Sequence, residues 1–200
     1  EFAVTTAMMA TLATTAAPRF SGIGEGAKEK KSLAEIDKIV IASSNFFNSK
    51  VTTEGRGRFP GQEKYNVQVG GYASEIQLLS VIGSDADTPF DGYDNAEGAN
   101  WRSIFGVGAE GAPKASDSNV LDDDGSIEGD VEFMAEFANN AIKSPYQDGH
   151  YIYIVLPGGV DYVDPDGDGT YVAVSCNECS PILYVADNED PSKLFKKYQP

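Results

Sequence analysis

Phe2-Ala3-Val4-Thr5-Thr6-Ala7-Met8-Met9-Ala10-Thr11-Leu12-Ala13-Thr14-Thr15-Ala16-Ala17-Pro18 carries no charged side chain, whereas the chain from Lys28 onward is dense in charge and in helix formers. Together the two stretches decide the fold, because they describe one long N-terminal helix with two unlike environments. In the first, small and apolar residues sit among five threonines. Threonine hydroxyls can bond back to carbonyls of their own helix, so they are tolerated in an apolar setting. Small side chains let helices approach closely where water does not drive them together. Glu1 stands at the tip, and a carboxylate in such surroundings is costly unless it is neutralised or paired. The N-terminal amine of a neighbouring copy is a suitable cation. The stretch is therefore expected to be covered by other copies of this chain. A cleaved secretory peptide would instead start basic and end at a small-residue site. A membrane span wants about 20 mainly apolar residues, so this weakly apolar segment is marginal as a span by itself.

Pro18 lacks an N–H and clashes with the preceding turn, which predicts a break in the helix. Gly22, Gly24 and Gly26 follow closely, each costing about 1 kcal/mol of helix propensity relative to Ala. Residues 18–26 are accordingly expected to be flexible, between an assembly segment at 1–17 and an amphipathic helix at 27–50. In that second helix Leu33, Ile36, Val40 and Phe47 recur at spacings of three, four and seven, a stripe that should pack on a sheet.

The opening Glu1-Phe2-Ala3-Val4, the proline region Ala16-Ala17-Pro18-Arg19-Phe20-Ser21-Gly22-Ile23-Gly24-Glu25 and the Glu1-to-Pro18 spacing resemble the N-terminal helix of type IV pilins and of type II secretion pseudopilins. The Glu-Phe-Ala start is also similar to that of the small subunits of tight-adherence pili. The resemblance covers about the first quarter of the chain. It implies an α+β fold, with the N-terminal helix packed on an antiparallel sheet, and an assembly role for Glu1, Phe2 and Pro18. It also implies a leader ahead of Glu1, identical subunits in a helical filament as partners, and the inner membrane as host before assembly. The expected location is then the cell surface, in an extracellular filament of the kind used for adhesion.

Charge is unevenly spread. Residues 1–65 hold nine basic and seven acidic side chains, so of the totals of 15 and 31 the remaining 135 residues hold six and 24. A distal region so anionic argues against nucleic-acid binding. It favours solubility, cation binding and mutual repulsion that divalent ions relieve. Residues 51–200 fit one globular, β-rich domain. Tyr65–Val69 and Ile76–Ile82, separated by Gly70-Gly71, predict a hairpin. Residues 83–102 and 108–130 are Asp-, Gly- and Ser-rich and predict long loops, and 131–141 a short helix. Residues 150–156, 170–174 and 181–186 predict strands, with His150 opening the first of these.

Asp164-Pro165-Asp166-Gly167-Asp168-Gly169-Thr170 is the strongest chemical motif. Three carboxylates at alternate positions, a glycine for a sharp turn and the Thr170 carbonyl can surround one hard cation, as in the first half of an EF-hand loop. The twelfth position is Ser175 rather than Glu, and strands rather than helices flank the loop, so Asp161 or Asp187 would supply a further ligand. A solvated Asp-Gly turn is the plain alternative. Similarity to the major pseudopilins, which carry calcium near the C-terminus, implies calcium here. Asp122-Asp123-Asp124-Gly125-Ser126-Ile127-Glu128, and Asp85 and Asp87 with Asp91, are weaker versions of the motif.

Cys176 and Cys179 are the only cysteines. Zinc needs two more ligands, and the pair follows a strand rather than starting a helix as a redox motif does. In an exported protein a small structural disulfide is expected, with reduced thiols the alternative in a reducing compartment. One histidine, no nucleophile motif and no phosphate-binding glycine loop predict a non-enzyme. The function expected is that of the major structural subunit of a type IV pilus-like filament. A type II secretion pseudopilin is the alternative within the family, and a membrane-tethered, secreted calcium- or carbohydrate-binding module is the alternative from another class.

Overall fold

A computed structural model of the 200-residue chain describes residues 2–83, 98–105, 129–147 and 149–200, with side chains from Gly24 onward. It confirms the α+β architecture. Helix α1 spans Phe2–Glu54 and is 53 residues long, roughly 80 Å at 1.5 Å per residue. The break expected at Pro18 is absent, because α1 runs through residues 18–26 as one helix. A proline removes one internal hydrogen bond and three glycines weaken propensity, but neither is prohibitive when the next four turns pack on a core that fixes the helix. α1 ends where Gly55 takes a left-handed conformation (φ 80°) and donates its N–H to the Val51 carbonyl at 3.1 Å, the usual glycine stop.

The main sheet has four antiparallel strands in the order β1-β2-β5-β6: β1 (Arg102–Ser103), β2 (Tyr151–Leu156), β5 (Ile182–Asp187) and β6 (Phe195–Tyr198). β2 and β5 pair in full from Tyr151↔Asp187 to Leu156↔Ile182. β3 (Val160–Val163) and β4 (Val172–Ser175) form a separate two-stranded ribbon. Every residue of β2 is buried, so both faces of the sheet are covered. Alternation along the strand divides its side chains between two cores. Tyr151, Tyr153 and Val155 join Leu183 and Val185 of β5 against Ile36, Ile39 and Phe47 of α1, with Phe59 and with Phe133 of helix α3 (Gly129–Glu136). Ile152, Ile154 and Leu156 join Tyr184 and Ala186 against Tyr72, Trp101 and Leu78 and Ile82 of helix α2 (Glu75–Ile82). The predicted α1 stripe therefore does pack on the sheet. Its centre is Ile36, Ile39 and Phe47, with Leu33 and Val40 partly buried at the margins.

The hairpin predicted between Tyr65 and Ile82 is corrected, because its second arm is α2. Ser74 caps that helix, its Oγ accepting the Gln77 N–H at 3.3 Å, while Gln77 Oε1 accepts the Ala73 N–H at 3.0 Å. This is a capping-box arrangement, closed at the far end by left-handed Gly83. Its first arm is irregular. Gln62, buried, accepts from the Phe59 N–H and donates to the Val67 carbonyl, and only Val69 bridges to the sheet, at Val155. Most of the two predicted acidic loops lies outside the described residues.

Candidate assembly surface

α1 lies along the sheet in a fixed direction, antiparallel to β5. Ser32 Oγ donates to Asp187 at the end of β5 (2.7 Å), and Asp37 pairs with Lys196 of β6. Further on, Ser44 and Tyr198 exchange a hydrogen bond of 2.8 Å. Asp187 is fully buried and also accepts from Ser144 Oγ at 2.7 Å. One carboxylate thus ties helix, sheet and the 141–147 loop together. At the other end Arg58, only 5% exposed, holds Glu54 at 2.9 Å and Glu132 of α3 at 2.8 Å. Burial alone would lower its pKa, and the hydrogen bonds it donates to Glu132 and Glu54 more than offset that, leaving the guanidinium above its usual value.

Among the side chains described, those from Gly24 onward, α1 meets its own domain from the first turn. Glu25 and Glu29 line a shallow cleft with Tyr146 and Glu189, the Lys28 ammonium sits 5.4 Å from the Tyr146 ring centre, and Ser32 is the first buried side chain among those described. The helix starts 30 residues earlier, at Phe2. Of the predicted assembly residues, Glu1 lies outside the described residues, and Phe2 and Pro18 are described in backbone only, both on α1. Among the described residues no helix is long and apolar enough to cross a membrane.

The predicted cation ligands fall on the tip of the β3–β4 ribbon. Asp164 is partly exposed, and its carboxylate accepts the backbone N–H groups of Gly169 (2.9 Å) and Gly167 (2.7 Å), which hold its pKa below the usual range. Asp168 accepts the Thr170 N–H at 2.7 Å. Among the described residues no three His, Cys, Asp or Glu side chains converge as a metal site. Asp187 cannot be the extra ligand. It sits at the Tyr151 end of the β2–β5 pair, while the ribbon leaves from Leu156 at the opposite end. Asp161 remains near the loop, on β3. The weaker acidic runs at 85–91 and 122–128 lie outside the described residues.

Cys176 and Cys179 are joined, with Cα atoms 5.4 Å apart. Their turn forms the foot of the ribbon, pinned by the Gly159 N–H to the Cys179 carbonyl at 2.8 Å and by Arg56 Nη2 to the Asn177 carbonyl at 2.9 Å. His150 stands immediately before β2, which opens at Tyr151, one residue later than predicted. It lines a cleft of about 270 Å³ with Ser103, Phe105, Ile142 and Ser144, and its ring nitrogens have no hydrogen-bond partner among the described residues. Burial depresses its pKa, opposed by Asp187.

Sequence reasoning missed β3, β6 and the exposed face of the ribbon. Val160–Val163 was hidden in an Asp-Gly-rich surround, although the alternation Val-Asp-Tyr-Val was present. Comparison with protein-family models, with curated proteins and with solved structures finds no match to this chain.

Proposed function

We propose that the protein is the structural subunit of an extracellular type IV pilus-like filament, a non-enzyme that works by self-association through the N-terminal part of α1. One observation carries this: α1 is a single 53-residue helix that continues from the segment packed on the sheet back to Phe2. The 23 residues before Glu25 form about 35 Å of helix, uncharged from Phe2 through Pro18. An apolar helix is stabilised by about 25 cal/mol per Å² of apolar surface that neighbours cover, and the acidic domains outside it repel one another. Glu1 then sets the register between copies, because leaving it unpaired among packed helices costs several kcal/mol.

The test is electron microscopy of material sheared from producing cells. Wild type should give filaments with a core of packed helices. Glu1→Ala or Ala10→Asp should abolish them while the distal domain keeps its fold. A chain starting at Glu25 should be a folded monomer, since every described core residue is retained. Normal filaments from either variant, or assembly of the shortened chain, would overturn the reading.

A further inference from the structure

The β3–β4 ribbon leaves two faces to be accounted for. Its register sets Val163 opposite Val172 and Asp161 opposite Val174, so alternation puts Asp161, Val163, Val172 and Val174 on one face. The other face carries Tyr162, which lines a cleft with Glu75, Leu156 and Ile182, and Asp161 at the ribbon's edge reaches that cleft too. On the first face Val163, Val172 and Val174 are 37%, 44% and 39% exposed. Nothing among the described residues covers them. A contiguous apolar patch with a polar rim marks an interaction surface. Here the rim is acidic, formed by Asp161 beside the valines and by Asp164, Asp166 and Asp168 at the tip.

A surface of matching character exists on α1. Ile41 is 61% exposed, the most exposed large apolar side chain described. Lys30 lies eleven residues before it, three turns along the same helical stripe, with exposed Ala34 between them and exposed Asn45 beyond. Lys30 and its neighbour Lys31 are exposed and make no ion pair among the described residues. Between Ala34 and Ile41 the stripe carries Asp37 and Lys38, each already ion-paired, with Lys196 and Glu35, so the charge it offers a partner is that of Lys30 and Lys31, where the ribbon is apolar and acidic.

The two surfaces do not meet within one copy, since Ile41, Val163, Val172 and Val174 are all exposed in it. The ribbon's foot is bonded to Arg56, just past the C-terminal end of α1, whereas Ile41 lies 13 residues before Glu54, about 20 Å back along the helix. Complementary patches at two different places on one molecule make a head-to-tail contact, and such contacts propagate as open helical polymers unless the rotation closes a ring. We propose that the Val163, Val172 and Val174 face of the ribbon docks on the Ile41 stripe of α1 in a second copy of this chain, with its aspartates meeting Lys30 and Lys31. This rests on the self-assembly proposed above and assigns it a second contact, distinct from the N-terminal helix.

Photocrosslinking tests it. Full-length chains carrying benzoylphenylalanine in place of Val172, prepared in light and heavy isotope forms and mixed, are irradiated and the joined peptides identified by mass spectrometry. Light-to-heavy crosslinks to residues 30–45 are expected, and Ile41→Asp should reduce their yield at least tenfold. Asp166→Lys with Asp168→Lys should weaken the contact, and adding Lys30→Glu with Lys31→Glu should restore it. Crosslinks confined to one isotope form, crosslinks to other segments, or none at all would overturn the contact. If wild-type filaments form without this crosslink, the docking fails and the filament stands. If the crosslink forms while no filaments do, the filament reading fails and the docking stands.

Discussion

Tyr153 shows how little room the core leaves at single positions. Its ring packs edge-on against Phe133, centroids 4.9 Å apart, and its hydroxyl lies between Gly61 and Gly129, where a Cβ on either glycine would overlap it. Burial pushes the Tyr153 pKa upward, so the ring remains neutral. His150 is the residue whose titration matters near neutrality. Its folded pKa is depressed below the ordinary 6.5, mainly by burial. The unfolded chain therefore takes up the proton first as pH falls, and the stability held above pH 6.5 declines on the way down through the folded value. Thermal melts across pH 7.5 to 5 should show wild type losing more stability than His150→Gln. Equal slopes for the two proteins would remove His150 as the cause.

At the scale of elements, the ribbon and α3 are each held by a few polar contacts. The Asp164 carboxylate organises the ribbon tip through Gly167 and Gly169. If calcium binds Asp164, Asp166, Asp168 and the Thr170 carbonyl, Asp166→Ala should lower calcium affinity by at least tenfold in calorimetry, and calcium should raise the Tm of wild type only. An unchanged affinity would leave the tip as a self-capped turn. α3 is fixed to the end of α1 by Arg58 between Glu54 and Glu132. Truncating Glu132 leaves a buried guanidinium with one partner, which costs about 3–5 kcal/mol for a fully buried pair. Because Glu54 remains and Glu132 is partly exposed, the Glu132→Ala loss should fall near 2–3 kcal/mol in urea titration. A change under 0.5 kcal/mol would show the pair to be solvent-screened.

For the molecule as a whole, the N-terminal helix and the disulfide turn were legible in the sequence, because each depends on local chemistry. A charge-free stretch, a 3.6-residue stripe and two cysteines three apart declare themselves over a few residues. Strands β2 and β5 were also legible, as continuous runs of Val, Ile, Leu and Tyr that suit burial on both sides. Helix α2 was not read, although Ser74, Gln77 and Gly83 were its caps, since a short apolar run cannot be told from a strand by period alone. What the tertiary structure decided was everything that joins distant residues. The pairing of β2 with β1 and β5, the meeting of Ser32 and Ser144 at Asp187 and the placing of the ribbon's foot against Arg56 all depend on contacts more than 20 residues apart. Local sequence holds the propensities for each element, but which faces remain exposed is settled only when those elements compete for the same core.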